Sequence, residues 1–266
     1  MIPNYKYHFL SAIAFCLTSL GRLAILLIFL SGLLLYPVTE ARADSGLFDS
    51  GLFSIYEQRL AHNPNGIGKF YMGREIAKVI GYSEALWLER PSREPEEKPS
   101  KIIKALNLNP DSVVADIGAG TGYLSFRIAP LLTTGKVVAV DIQPEMIDII
   151  EFLKQENNVN NVETVLATPM DSKLPPESID LALMVDAYHE FEYPREVMTS
   201  INKALKPGGK VILVEYRGEN PLIMIKGLHK MTQKQVKKEM QAVGLIWCKT
   251  DNFLPQQHFM VFQKLA

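Results

Sequence analysis

Two stretches of this chain hold residue types whose spacing suits chemistry. The first is Asp116-Ile117-Gly118-Ala119-Gly120-Thr121-Gly122. Three glycines at alternate positions let a backbone approach a ligand closely and take up positive φ. Val113 to Ala115 before them begin an apolar run that reads as a buried strand, and Tyr123 to Ala129 after them resume at helical spacing. A strand, a glycine turn and a helix start with free N–H groups together make a nucleotide cradle. The second stretch is Asp186-Ala187-Tyr188-His189-Glu190. An acid, a phenol, an imidazole and a second acid stand side by side there. His189 is the candidate general base, because imidazole ordinarily titrates near neutrality, with Tyr188 and Glu190 as its catalytic neighbours. Between the two stretches, Asp141 closes the apolar run Lys136 to Val140. An acid at such a strand end can accept hydrogen bonds from both hydroxyls of a ribose.

The glycine spacing separates two kinds of pocket. A dinucleotide fingerprint needs G-x-G-x-x-G, but Tyr123 stands where its last glycine belongs. The pattern D-x-G-x-G-x-G resembles motif I of the class I S-adenosylmethionine-dependent methyltransferases. Two later runs are similar to the ubiquinone and menaquinone pathway enzymes of that family. They are Leu174-Pro175-Pro176-Glu177-Ser178-Ile179-Asp180 and Leu205-Lys206-Pro207-Gly208-Gly209. The resemblance covers roughly Lys98 to Ala266 and implies S-adenosylmethionine as cofactor and a small-molecule methyl acceptor. It implies a cofactor-binding set of Asp116, Gly118, Ala119, Gly120, Thr121, Gly122, Asp141, Ile142, Met146, Thr168, Met170, Asp171 and Asp186. Within that set Asp116 supports the methionine end. The family usually carries Gly-Asp after the third strand, near the adenine amine. Here the segment is Ala167-Thr168-Pro169-Met170-Asp171, so Thr168 replaces the aspartate and Asp171 is expected to stand in for it.

The elements that must position these residues follow from periodicity. From Val113 onward, apolar runs at Lys136–Val140, Val162–Leu166, Leu181–Val185 and the segment ending at Glu215 alternate with helical stretches. Leu245–Asp251 and His258–Lys264 are the last two strands. Thr232 and Gln235 have capping-box spacing before a helix that Gly244 stops. The expected fold is α/β, a doubly wound Rossmann-like sheet of seven strands in the order 3-2-1-4-5-7-6. Residues 111–266 are assigned to it. Residues 44–110 show no strand pattern and are expected to form a helical N-terminal cover, with Ile76, Val79 and Ile80 at helical spacing ahead of Gly81. Strand ends in such a sheet face the ligand crevice, so the Asp186–Glu190 loop and Glu215-Tyr216 should converge there.

Residues 1–43 read as a signal peptide: Lys6 and Arg22 precede the apolar run Leu23 to Tyr36, and Ala41-Arg42-Ala43 has the small-x-small cleavage pattern. Export with cleavage after Ala43 is expected. The alternative is a membrane anchor through residues 23–36, and the membrane is a partner only in that case. The 223 residues after Ala43 suit one core. The formal net charge of −1 gives no reason to expect a nucleic-acid partner. Of the two cysteines, Cys16 lies in the leader, which leaves Cys248 alone. His189, His229 and His258 match no compact metal-ligand spacing, so no metal is expected and a shared polar rim around the acceptor is. Lys226, Lys230, Lys234, Lys237 and Lys238 read as a solvated basic face. Two other functions stay open: an exported S-adenosylmethionine-binding protein without activity, because that cofactor is made in the cytosol, and a nicotinamide-dependent dehydrogenase, which would use the same Asp141.

Overall fold

A computed structural model describes residues 55–265; the expected leader lies outside them. The described chain begins with a three-stranded antiparallel sheet, β1 (Tyr56–Gln58), β2 (Gly66–Tyr71) and β3 (Arg74–Ala77). This corrects the helical reading of the cover. Ile76 and Ala77 are both buried and Val79 is exposed, so the spacing of Ile76, Val79 and Ile80 marks no helical face. Short helices α1 (Ala85–Leu88), α2 (Arg93–Glu97) and α3 (Pro99–Ala105) follow, and among the described residues the cover's α-helices begin only there.

The main domain then alternates as expected. It runs β4 (Val113–Ile117), α4 (Ser125–Ile128), β5 (Lys136–Asp141), α5 (Pro144–Glu156), β6 (Val162–Leu166), β7 (Ile179–Val185) and α6 (Pro194–Ala204). It ends with β8 (Leu205–Tyr216), α7 (Gln233–Gln241), β9 (Leu245–Asp251) and β10 (Gln257–Lys264). The seven strands stand in the order β6-β5-β4-β7-β8-β10-β9, which is the expected order counted within this sheet. All neighbours are parallel except β10, which runs against both β8 and β9.

Both faces of this sheet are covered. Along β5, Val137 and Ala139 join one apolar cluster while Val138 and Val140 join the other. β8 repeats the alternation with Ile212 and Val214 against Val211 and Leu213. Such period-two sorting is what a strand imposes on successive side chains. Helix α5 closes the first face with Met146, Ile149, Ile150 and Leu153, the positions one helical stripe presents. Each such fully buried side chain contributes roughly 1.5–3 kcal/mol relative to exposure.

The two family-like runs are structural. Asp180 accepts the Val113 N–H at 2.8 Å and pairs with Lys206 at 2.8 Å, so the approach to β7 and the start of β8 are tied to β4 through one carboxylate. The expected cap of α7 is present, with Thr232 Oγ1 accepting from the Gln235 N–H at 3.2 Å.

The cover docks through charge. Arg74 on β3 pairs with Glu239 on α7 at 2.7 Å, and Glu239 is fully buried and also accepts from the Tyr188 hydroxyl at 2.7 Å. Removing one partner of a buried pair leaves the other charge uncompensated, at a cost of about 3–5 kcal/mol. Arg74→Ala is therefore expected to lower unfolding free energy by that order in urea titrations. A loss within about 0.5 kcal/mol, the range of an ordinary surface change, would show that the pair does not hold the cover.

Candidate functional site

The glycine loop joins β4 to α4. Gly118, Gly120 and Gly122 have φ of 70°, 55° and 79°, a region that costs other residues strain. Space adds a second constraint at Gly118 and Gly120. A Cβ on Gly118 would stand 2.8 Å from Ala187 Cβ, and one on Gly120 2.8 Å from Leu88 Cδ1. The loop is pinned to the neighbouring strand, with Gly118 and Ala119 N–H groups donating to the Val140 carbonyl at 2.8 and 3.1 Å.

A cavity of about 160 Å³ opens over this loop. Its wall includes Asp116, Gly118, Ala119, Gly120, Thr121, Asp141, Ile142, Met146, Thr168, Asp186 and Glu190 of the sequence-predicted residues. Gly122, Met170 and Asp171 are not on it. Gly122 faces Phe126 and Ile150 and serves packing. Asp171 bonds the Lys173 N–H and pairs with Lys173 Nζ at 2.9 Å, closing its own turn. The expectation that it replaces the family's aspartate at the cavity is therefore corrected; Thr168 and Pro169 form that wall.

Acids line the strand ends. Asp116 is buried and accepts from the Ser125 hydroxyl at 2.7 Å; burial pushes its carboxyl up to about 6 against that bond. Asp141 accepts from the N–H groups of Gly120 at 2.9 Å and Gln143 at 3.0 Å. Burial raises it too, and those amides counter the rise. Asp186, at φ 50°, accepts from Gln257 Nε2 at 2.6 Å, while its other oxygen is shielded from solvent and has no hydrogen-bond partner. Burial first, then Glu97 and Glu215, push it well above the carboxylate range.

A second cavity of about 480 Å³ adjoins the first. The two share Val79, Ile80, Leu88, Arg93, Val185 and Asp186 as walls. The second is completed by His189, Tyr216, His229, Glu97, Trp87 and the segment Met224-Ile225-Lys226. Sequence reasoning missed Arg93 and Glu97, which lie in the charged stretch Arg90 to Pro99 whose three prolines read as an exposed linker, and Trp87 just before it.

The catalytic trio does not stay together. Tyr188 is fully buried, turned to Glu239 and Arg74 beneath the cover, and touches neither cavity. It is removed from the catalytic list. His189 lies on the second cavity, not the first, and both ring nitrogens are engaged: Nδ1 with Glu215 at 2.7 Å and Nε2 with His229 Nδ1 at 3.0 Å. Burial opposes its charge, but Glu215 and Glu190 outweigh burial and hold the ring up to about 10. A ring so engaged is no general base at neutral pH. Glu190 Oε2 accepts the Ile80 N–H at 3.1 Å. His258 bonds Glu219 at 2.8 Å, apart from the other two histidines. Of the five lysines, Lys226 reaches the second cavity; Lys230 and Lys238 bond backbone carbonyls and Lys237 lies over Trp247.

A parallel-centred seven-stranded α/β sheet with a glycine cradle and acids at its strand ends defines a nucleotide-cofactor domain of the Rossmann-like class. Residues 108–261 match the model of a family described as methyltransferase domain, more than half of the chain, and the chain belongs to that family. It is 28% identical over 123 residues to the uncharacterized methyltransferase YcgJ of Bacillus subtilis, covering 46% of this chain and 48% of that protein. It is 26% identical over 117 residues to the ubiquinone/menaquinone biosynthesis C-methyltransferase UbiE of Wigglesworthia glossinidia brevipalpis, covering 43% and 47%. The chain thus spans about half the length of the curated relatives it matches. The crystal structure of a SAM dependent methyltransferase from Aquifex aeolicus shares the fold, with a TM-score of 0.66 at 20% identity, over 70% of this chain and 100% of that one.

Asp116 makes stability depend on pH. The folded chain keeps a proton up to about pH 6 that the unfolded chain, at an ordinary 3.8, has already released. Its contribution is present in full below about pH 4 and is lost as pH rises through about 6. The difference corresponds to about 3 kcal/mol at most. Cofactor-free Asp116→Asn should therefore gain stability relative to the parent between pH 4 and 7, read from paired urea melts. A constant difference across that range would place the carboxyl in a hydrated setting.

Proposed function

We propose that this chain transfers a methyl group from S-adenosylmethionine to a small-molecule acceptor. The observation that carries the reading is the pair of adjoining cavities, one over the glycine cradle and one beside it, divided only by shared walls. The cofactor would lie over Gly118–Thr121, its ammonium and sulfonium charges near the buried acids and its ribose at Asp141. The acceptor would occupy the second cavity, whose volume falls in the range of small-molecule sites. Transfer is displacement at carbon: a lone pair on the acceptor forms the new bond while the methyl–sulfur pair leaves with sulfur. The protein's main part is to hold donor and acceptor in line. Family membership and the UbiE-type relatives support a small acceptor; the mixed wall of Trp87, Ile80 and Met224 with Lys226 and Arg93 suits a molecule with one apolar and one polar side.

Calorimetry of the full chain with S-adenosylmethionine, followed by a labelled-methyl screen of small molecules, tests this. Asp141→Asn should weaken cofactor binding by about 1–3 kcal/mol, the scale of a hydrogen bond to a charged group. NADH binding more tightly than S-adenosylmethionine would favour the dehydrogenase instead. Cofactor binding without any methyl transfer would favour the inactive binding protein.

Export is the second part of the proposal. Its support is the charge and cleavage pattern of residues 1–43. N-terminal sequencing of protein from its native host should read Asp44 first. A chain beginning at Met1 in the membrane fraction would mean an anchor.

A further inference from the structure

Residues of the two adjoining cavities carry an arrangement that methyl transfer does not require. His189 Nε2, His229 Nδ1 and Glu190 Oε1 face one another, with separations of 3.0 Å between the nitrogens, 3.4 Å from Oε1 to His229 and 3.7 Å from Oε1 to His189. Two nitrogens and an oxygen bound to one first-row ion at about 2.0–2.1 Å stand roughly 3.3 Å apart in tetrahedral geometry. The three atoms already occupy such a triangle. They come from two places 40 residues apart in sequence, the turn after β7 and the segment before α7.

Two further observations point to a ligand here. Glu190 Oε2 is fixed by the Ile80 N–H, whereas Oε1 is shielded from solvent and has no hydrogen-bond partner. A buried carboxylate oxygen without a partner is costly, and this one is aimed at two imidazoles. Behind His189, Glu215 takes Nδ1 at 2.7 Å and is itself 1% exposed. With Nδ1 committed to Glu215, Nε2 is the nitrogen on which an ion would displace a proton, and Glu215 is the carboxylate that metal-ligating histidines ordinarily carry on their other nitrogen.

We propose that His189, His229 and Glu190 bind a divalent first-row transition-metal ion of the zinc type. Two imidazoles and one carboxylate are a ligand set such ions accept, and three protein ligands leave a coordination position free. Both histidines line the second cavity and Glu190 lines the first, so the free position lies where they meet. The ion would there hold an oxygen, nitrogen or sulfur atom of the acceptor, a role that rests on the acceptor reading of the second cavity. The binding itself does not rest on it.

The test uses full-length protein stripped with a chelator and titrated with Zn2+ alone. One equivalent should bind. Co2+ in its place should give the visible absorption of a low-coordinate nitrogen–oxygen site, which reads the ligand set in the unmodified chain. His229→Ala and Glu190→Gln should each weaken Zn2+ by more than the 10–100-fold typical of changes behind the ligands, and Glu215→Gln by about that amount. Thermal melts of each variant without metal separate lost ligation from lost fold. No stoichiometric Zn2+, an octahedral all-oxygen Co2+ spectrum, or unchanged affinity in folded His229→Ala and Glu190→Gln would each overturn the site. S-adenosylmethionine titrated into the same samples keeps the two readings apart. Cofactor binding without Zn2+ binding overturns the metal site alone, and Zn2+ binding without cofactor binding supports the metal site and overturns the methyltransferase reading.

Discussion

Four neighbouring strands of one sheet end in acids, and most of the site follows from how those charges are tolerated. Asp116 on β4, Asp141 on β5, Asp186 just past β7 and Glu215 on β8 stand at the same edge, because these strands run parallel. Removing a carboxylate from water costs several kcal/mol unless dipoles or cations replace the hydration. The chain supplies some replacements: the Ser125 hydroxyl, the amides of Gly120 and Gln143, Gln257 and the His189 ring. They are incomplete, since Asp186 keeps one oxygen unpartnered. A ligand that carries positive charge meets an edge built to receive it, and S-adenosylmethionine carries two positive groups.

The same edge explains the cover. Glu97 on α2 accepts from the Tyr216 hydroxyl at the end of β8 and pairs with Arg93 at 2.8 Å and with Arg90. Gln143 after β5 bonds both the Ile80 carbonyl and the Tyr82 N–H, and Glu190 after β7 takes the Ile80 N–H. The N-terminal residues are thus held by polar groups at the strand ends themselves. That connection encloses the cavities, and it makes cover and site energetically one unit. A change at Gln143, whose side chain makes both bonds to the cover, would act on both.

What could be read from the chain beforehand divides along physical lines. The central strands were legible because burial on both faces yields continuous apolar runs, and the glycine cradle because glycine takes three positive φ values in a five-residue turn without the strain other residues incur. The antiparallel sheet of the cover was not. Its strands are three to six residues long and carry Lys69, Arg74 and Glu75, and Ile76 and Ala77 are buried in succession instead of alternating. Tyr188 misled because a five-residue loop with four polar side chains does not disclose which of them turns inward. The backbone takes φ 50° at Asp186 and a short 3-10 turn over Tyr188–Glu190, which sends Tyr188 beneath the cover and His189 toward Glu215. The meeting of His189 with His229 was invisible for a similar reason: it depends on a segment with no periodic pattern at all.

These unreadable parts line the second cavity, the proposed acceptor site. The family match begins at residue 108, yet Asn65, Lys78, Val79, Ile80, Trp87, Leu88, Arg93 and Glu97 come before it and line the second cavity. The rest of that wall draws on Val185, Asp186, His189 and Tyr216 at the strand ends and on Met224, Ile225, Lys226 and His229 from the irregular segment between β8 and α7. The first cavity is walled largely by residues within the family match, whereas the second takes about half of its wall from residues before it. Likeness to a quinone-pathway enzyme over half of its length therefore bears on the donor half of the reaction and says little about the acceptor. On the proposed reading the acceptor's chemistry is set by the cover and the 218–231 segment, which bring apolar Trp87 and Met224 to the wall of one cavity with Lys226, Arg93 and the His189–His229 pair.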